Sequence, residues 1–285
     1  MKLSETIRYI REALALSQNQ FANMIGVDRL AVTRWENGGS VPNRIAQRKI
    51  YDIVKEKDVE MSAHLFRDIP EHKEKDGKII LYHGSKAGIH GDIRPISRDR
   101  CDFGKGFYMG TQAHQPLTLI CSFERSSLYV VEFDLTDLNV LYIPTGIEWA
   151  MLVAYSRGLL EQCADSPLYE RYRGMLNDYD AVVGSIADDR MFYVLDRFFM
   201  GDITDRGLVE SLSALKLGEQ YVALSEKACM NIRILERREI SELERTCLTN
   251  ISEQNRRKGI EAANDICREY RREGRFFDEI LRDVR

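Results

Sequence analysis

The stretch DFGKGFYMGT, residues 102–111, sets three glycines around two aromatics directly behind a charged loop. Glycine leaves backbone that no side chain crowds. Gly104 and Gly106, flanking Lys105, therefore permit either a turn into a strand or the close approach of a flat ligand, with Phe107 and Tyr108 presented beside it. Spacing excludes two phosphate chemistries. Gly104, Gly106 and Gly110 read G-x-G-x-x-x-G, one residue too long for the dinucleotide fingerprint. No G-x-x-x-x-G-K-S/T occurs, which removes the nucleotide-triphosphate loop.

The remaining chemistry-bearing residues are sparse. His83 ends the run KIILYHGS (78–85); taken alone, it also reads as a strand-end histidine bonded by backbone. His64, His72, His90 and His114 show no i, i+4 or H-x-E pairing, so a metallohydrolase is disfavoured and no metal is expected. There is no G-x-S-x-G. Asp188 and Asp189, in SIADDRMF, sit at a strand-to-helix turn, where they read either as a helix cap or as a contact to an acceptor. Glu148 and Trp149 open an amphipathic helix and read as cap and core.

Patterning supplies the elements that would position these groups. KIILYHGS, SLYVVEFDL (127–135), NVLYI (139–143), YDAVVGSI (179–186), QYVALS (220–225) and NIRIL (231–235) read as strands. GIEWAMLVAYSRGLL (146–160), MFYVLDRFF (191–199) and RGLVESLSAL (206–215) read as helices. Their irregular alternation predicts an α+β fold rather than a doubly wound sheet. Residues 61–77 are charged, carry Pro70 and Gly77, and are expected to be a linker with a short amphipathic centre.

Ahead of that linker, Leu3, Ile7, Ile10 and Leu14 recur at helical spacing over 3–16. Ser17 with Gln20 predicts a capping box, Gly26 a helix end, and Asp28 the cap of a third helix stopping at Asn37-Gly38. SQNQFANMIGVDRLAVTRWENGGSVPN resembles the helix-turn-helix of the lambda-repressor/Cro class, with Ala22, Gly26, Val32, Trp35 and the WENG exit at matching places. The resemblance implies that the third helix enters the major groove. Arg29, Leu30 and Arg34 would then read base edges, with Gln18 and Asn37 on phosphates. Arginine at 29 and 34 favours guanine. Residues 1–60 are thus expected to bind DNA as a homodimer.

LYHGS (81–85), DFGKGFYMGT and EQYVALSEKACMNIRIL (219–235) together resemble, in that order, three core motifs of the ADP-ribosyltransferase superfamily. The nearer likeness is to the branch with a His-Tyr-Glu triad and to a bacterial group of transferase-like domains. The likeness covers residues 78–236 and implies a split β-sheet domain that uses NAD as substrate. It implies that His83 binds ribose hydroxyls, that backbone at Gly84 holds the carboxamide, and that Ser85 adds a ribose contact. Tyr108 would stack on nicotinamide over Gly104 and Gly106, with Phe107 turned to the core. Where the family most often has a catalytic glutamate, this chain has Gln220. Glu219 is adjacent, but alternation points it away unless the strand slips. An amide cannot serve as general base. The implied activity is mono-ADP-ribosyl transfer to an unidentified acceptor, or slow NAD hydrolysis; NAD binding without turnover is the alternative.

Composition sets the frame. The chain has 285 residues, 44% apolar and 30% charged, which suits folded domains rather than disorder. The acidity lies in the middle: residues 61–235 hold 19 Lys/Arg against 25 Asp/Glu, whereas 1–60 hold ten against eight. Six scattered cysteines without C-x-x-C, no leader pattern and no long apolar run predict reduced thiols, a cytoplasmic protein and no membrane partner. Residues 237–285 read as two or three helices whose terminal Phe276, Phe277, Ile280 and Leu281 need burial. A small antitoxin-like partner fits a toxin or defence role.

Overall fold

The computed structural model describes residues 2–67, 69–187, 189–215 and 218–283. Its first unit holds α1 (Leu3–Ala13), α2 (Gln18–Ile25), α3 (Arg29–Glu36), α4 (Arg44–Glu56) and α5 (Ser62–Phe66). The predicted local signals act as expected. Ser17 and Gln20 form both halves of the capping box, Gly26 closes α2 at φ 78°, and the Asp28 carboxylate accepts from Leu30 N–H. The first helix stops short of residue 16 because Ala15 turns left-handed at φ 53°. Ile7, Ile10, Phe21, Ile25, Val32 and Ile50 are wholly buried, each worth about 1.5–3 kcal/mol against exposure. At the centre, Glu36 accepts from Arg11 Nε at 2.6 Å and from Gln18 Nε2 at 2.8 Å. Burial pushes that carboxyl up, but the bonds from Arg11 and Gln18 outweigh it and hold it below its ordinary value.

The expected linker is docked at its centre. Its amphipathic piece is α5, whose His64 and Leu65 are buried, and the His64 ring stacks on Tyr9 at 4.2 Å.

The second unit runs β1 (Glu74–Lys75), β2 (Lys78–Ser85), β3 (Phe107–Gly110), α6 (His114–Ile120), β4 (Ser127–Asp134), β5 (Val140–Ile143), α7 (Ile147–Arg157) and α8 (Pro167–Tyr172). It continues with β6 (Ala181–Ser185), α9 (Asp189–Phe199), α10 (Asp205–Ala214), β7 (Glu219–Ala223), α11 (Glu226–Met230), β8 (Ile232–Glu239), α12 (Glu242–Glu269) and α13 (Phe277–Asp283). The strand order is β5-β6-β7-β3-β2-β4-β8, with β1 beside the start of β2; all neighbours are antiparallel except β5–β6. The domain is α+β.

The sheet is continuous where a split sheet was expected, but its seam is thin. β2 meets β3 at a single register pair, Tyr82↔Gly110, while β3 is zipped to β7 from Phe107 to Gly110. Past Tyr82 the two strands part, and the space beside His83 and Ser85 is left to side chains and a loop.

One face of the sheet carries Leu81, Met109, Val131, Phe133, Val183 and Tyr221, under the 86–97 loop and α11. The other packs Tyr82, Leu128 and Val130 against α6 and α12, and Val182 and Val222 against α7, α9 and α10. The terminal segment forms α12 and α13. α12 starts at a Ser241/Glu244 capping box and packs on α4, α6, α9 and α10, so it touches both units. Phe277 of α13 is buried between Phe198 and Phe199, with ring centroids 5.6 and 4.8 Å away.

Candidate functional site

At the parting of β2 and β3, His83 Nδ1–H donates to the Tyr108 carbonyl at 2.7 Å. A side chain thus bonds the neighbouring strand where the ladder stops, and the bond fixes the tautomer: Nε2 is left as a lone-pair acceptor. Burial lowers the imidazole pKa, outweighing the Tyr108 carbonyl, which favours the protonated ring. At neutral pH the ring is uncharged. It stacks on Phe107 with centroids 4.1 Å apart and lies tilted over Tyr129.

A cavity of about 380 Å³ opens here, bounded by His83, Ser85, Gly106, Phe107, Tyr108 and the loop from Gly88 to Ser97. Its size falls in the range of small-molecule sites. The Tyr129 hydroxyl accepts from Ile89 N–H at 2.8 Å and pins one end of that loop. Ser97 pins the other: its hydroxyl accepts from Gly106 N–H at 3.1 Å, and its own N–H donates to the Gly106 carbonyl at 3.3 Å. A second cavity of about 390 Å³ lies across the glycine loop, against Phe103, Gly104, Tyr155 and Tyr169, away from His83.

The two glycines have separate reasons. Gly104 takes φ 73°, which side chains avoid. A Cβ at Gly106 would collide with Val222 Cγ1 and sit 3.0 Å from the Ala223 carbonyl, so its bareness admits strand β7 rather than a ligand. Gly84 is bare toward α6, where a Cβ would meet Ile120 and Pro116 at 2.9 Å.

Alternation separates the expected triad. His83 shares its face with Phe107, so Phe107, though buried, supplies the ring beside the histidine. Tyr108 faces the other way. Its hydroxyl donates to the Gly104 carbonyl at 2.7 Å and accepts from Phe103 N–H at 3.0 Å, and burial pushes its pKa up. This differs from the expected stacking role: the Tyr108 ring braces the loop from behind. Gln220 also lies on that second face, opposite Gly110 and Gly184, and the register has no slip that would bring Glu219 inward. Glu219 is exposed. The Gln220 amide is 5% exposed and donates to Asp102 Oδ2 at 2.8 Å and to the Ser185 carbonyl at 2.9 Å.

Asp102 was not singled out from the sequence, although it stands at the head of the glycine stretch; nothing in the sequence marked its partner Arg157. Asp188 lies outside the described residues, and Asp189 begins α9. Among the described residues, no group of three or more His, Cys, Asp or Glu is placed to hold a metal, and no helix is long and apolar enough to cross a membrane. The six cysteines are free thiols.

In the first unit Arg29, Leu30 and Arg34 are exposed along α3, and Asn37 just past its end; Leu30 shows 56% of its surface. Gln18 is committed at both ends of its amide, accepting from Thr33 Oγ1 at 2.8 Å while donating to Glu36. It locks α3 to the start of α2.

Fold and surface together define a helix-turn-helix module joined to an α+β domain with a cavity at its sheet seam. Residues 7–48 match the family described as Helix-turn-helix. Residues 79–234 match the family described as Protein of unknown function (DUF3990), and the chain belongs to that family. Neither a curated protein nor a solved structure matches the chain.

Proposed function

We propose that the DUF3990 domain binds NAD at the His83 cavity and transfers its ADP-ribose to an acceptor, in a protein that also binds DNA. The observation that carries this reading is the neutral His83, whose Nδ1 is engaged by the Tyr108 carbonyl and whose Nε2 is free to accept from a ribose hydroxyl. Ser85 continues the wall at the end of β2, and the main chain of Gly84, between His83 and Ser85, would hold the carboxamide. Gly104 and Gly106 shape the loop, and Tyr108 holds it from behind.

The reaction breaks the bond between the nicotinamide nitrogen and ribose C1′. Nicotinamide leaves neutral with the electron pair, and the ribose carries oxocarbenium charge. An acceptor lone pair then closes on C1′, and the acceptor's proton passes to solvent. The domain's contribution is orientation of the reacting atoms. A second reading, a regulator that senses NAD or ADP-ribose without turnover, is favoured by Gln220, whose amide is committed to Asp102 on the far face of the sheet.

Release of nicotinamide from ring-labelled NAD tests both readings, using wild type, His83→Ala and Gln220→Ala with and without cell lysate. His83→Ala is expected to cut release about 100-fold or more, the scale for losing one preorganised hydrogen-bonding group. Lysate stimulation identifies an acceptor. Background release from a wild type that still binds NAD removes the transferase reading in favour of the sensor.

A further inference from the structure

We propose that the buried Asp102 carboxylate is the positioning residue of the cavity wall, and that it requires an amide rather than a carboxylate at position 220. That the positioned wall serves NAD rests on the proposed function; the pairing of Asp102 with Gln220 stands on geometry alone. Four bonds converge on Asp102: Arg157 Nε at 3.0 Å and Nη2 at 2.5 Å on Oδ1, and Ala187 N–H at 3.1 Å and Gln220 Nε2 at 2.8 Å on Oδ2. The Gln220 amide nitrogen therefore faces two acceptors, the second being the Ser185 carbonyl. A carboxylate at 220 would set oxygen against both and place like charges within hydrogen-bond distance of each other. Buried groups in that position take up a proton instead. The negative charge of this cluster belongs to residue 102, where the Arg157 guanidinium balances it. That guanidinium is itself held 3.4 Å from the Phe192 ring centroid.

Asp102 is also where the glycine loop starts. Phe103 N–H donates to Tyr108 Oη, Tyr108 Oη–H donates to the Gly104 carbonyl, and Gly106 N–H donates to Ser97. Tying residue 102 to α7, to the exit of β6 and to β7 fixes the head of this chain of bonds. The far end of the chain is the wall against His83. Asp102 acts on the cavity through the loop, without touching it.

Hydrogen exchange of the 103–108 amides and NAD binding by calorimetry are compared in the full chain for wild type, Asp102→Asn, Gln220→Glu and the double variant, from about pH 5 to about pH 8. Each single change is expected to speed loop exchange and weaken NAD binding about tenfold, the scale of one lost hydrogen bond to a charged group. The Gln220→Glu loss is expected to be largest at the alkaline end and to recover as acid protonates the new carboxyl. The double variant is expected to lose less than the two single losses combined, because the amide introduced at position 102 can donate to the carboxylate introduced at position 220. Gln220→Met removes both donated bonds without adding charge. It is expected to speed loop exchange equally at every pH, and it carries the comparison if Asp102→Asn does not fold. A Gln220→Glu chain with wild-type loop exchange and NAD binding at every pH, or one that releases nicotinamide faster than wild type, overturns the proposal. A wild type that binds no NAD defeats the proposed function, and loop exchange still decides the pairing.

Discussion

His83 carries a pH dependence whose sign follows from its surroundings. Burial lowers its pKa, so between the ordinary histidine value of about 6.5 and the lower folded value the unfolded chain holds the extra proton. The neutral ring's contribution to stability is complete above about pH 6.5 and declines as acid is added down to the folded value. Urea titrations of wild type and His83→Gln across that window should diverge, with the variant losing less stability in acid; parallel curves would mean that the ring is not held neutral. On the proposed function, nicotinamide release should fall over the folded titration, since protonation removes the Nε2 acceptor. The sequence made His83 legible as a strand-end residue, because KIILYH is apolar up to a polar tip. It did not reveal the partner: a main-chain carbonyl leaves no mark in a one-letter code. For the same reason Tyr108 was legible as a special aromatic but not as a brace, since its bonds go to backbone at Phe103 and Gly104.

At the scale of elements, capping chemistry was the most readable layer. Ser17, Gln20, Gly26 and Asp28 each act within a few residues of themselves, so short-range pattern contains the whole cause. Asp28→Ala should cost about 0.5–2 kcal/mol, read from thermal unfolding. Arg34→Ala leaves every cap intact. It should keep the unfolding midpoint while weakening binding to a duplex selected from a random pool by about 1–3 kcal/mol. Equal affinity would take Arg34 off the interface. The sheet seam was less readable. Strand β3 is only Phe107–Gly110, and its pairing with β7 joins residues more than a hundred positions apart, so local periodicity holds no trace of it. The docking of α5 was hidden in another way: a charged stretch around one buried face reads as a solvated connector.

The whole molecule is tied together at Arg238 and Glu244. Their side chains are 9% and 2% exposed and 2.6 Å apart, and Arg238 also donates to the Leu65 carbonyl of α5. Glu244→Ala leaves a buried guanidinium uncompensated and should cost about 3–5 kcal/mol, whereas Arg238→Met with Glu244→Leu should cost far less. The two tryptophans divide conveniently, Trp35 in the first unit and Trp149 in the second. Urea midpoints followed through each alone, in Trp149→Phe and Trp35→Phe chains, should coincide. Separate transitions would show that the contact does not couple the units.

The same long helix has a consequence for synthesis. The apolar cluster that holds Ile7, Phe21 and Ile50 also contains Leu243, Cys247 and Leu248 of α12. Leu243 follows Val54 by 189 residues in the chain, so at about 5–20 residues per second the emerging DNA-binding unit waits roughly 10–40 s for part of its own packing. Over that interval the face of α4 that α12 packs on is open on the ribosome. A nascent chain halted before residue 240 would present the helix-turn-helix unit with the apolar face of α4 open to chaperones, and that face closes only when α12 has been made.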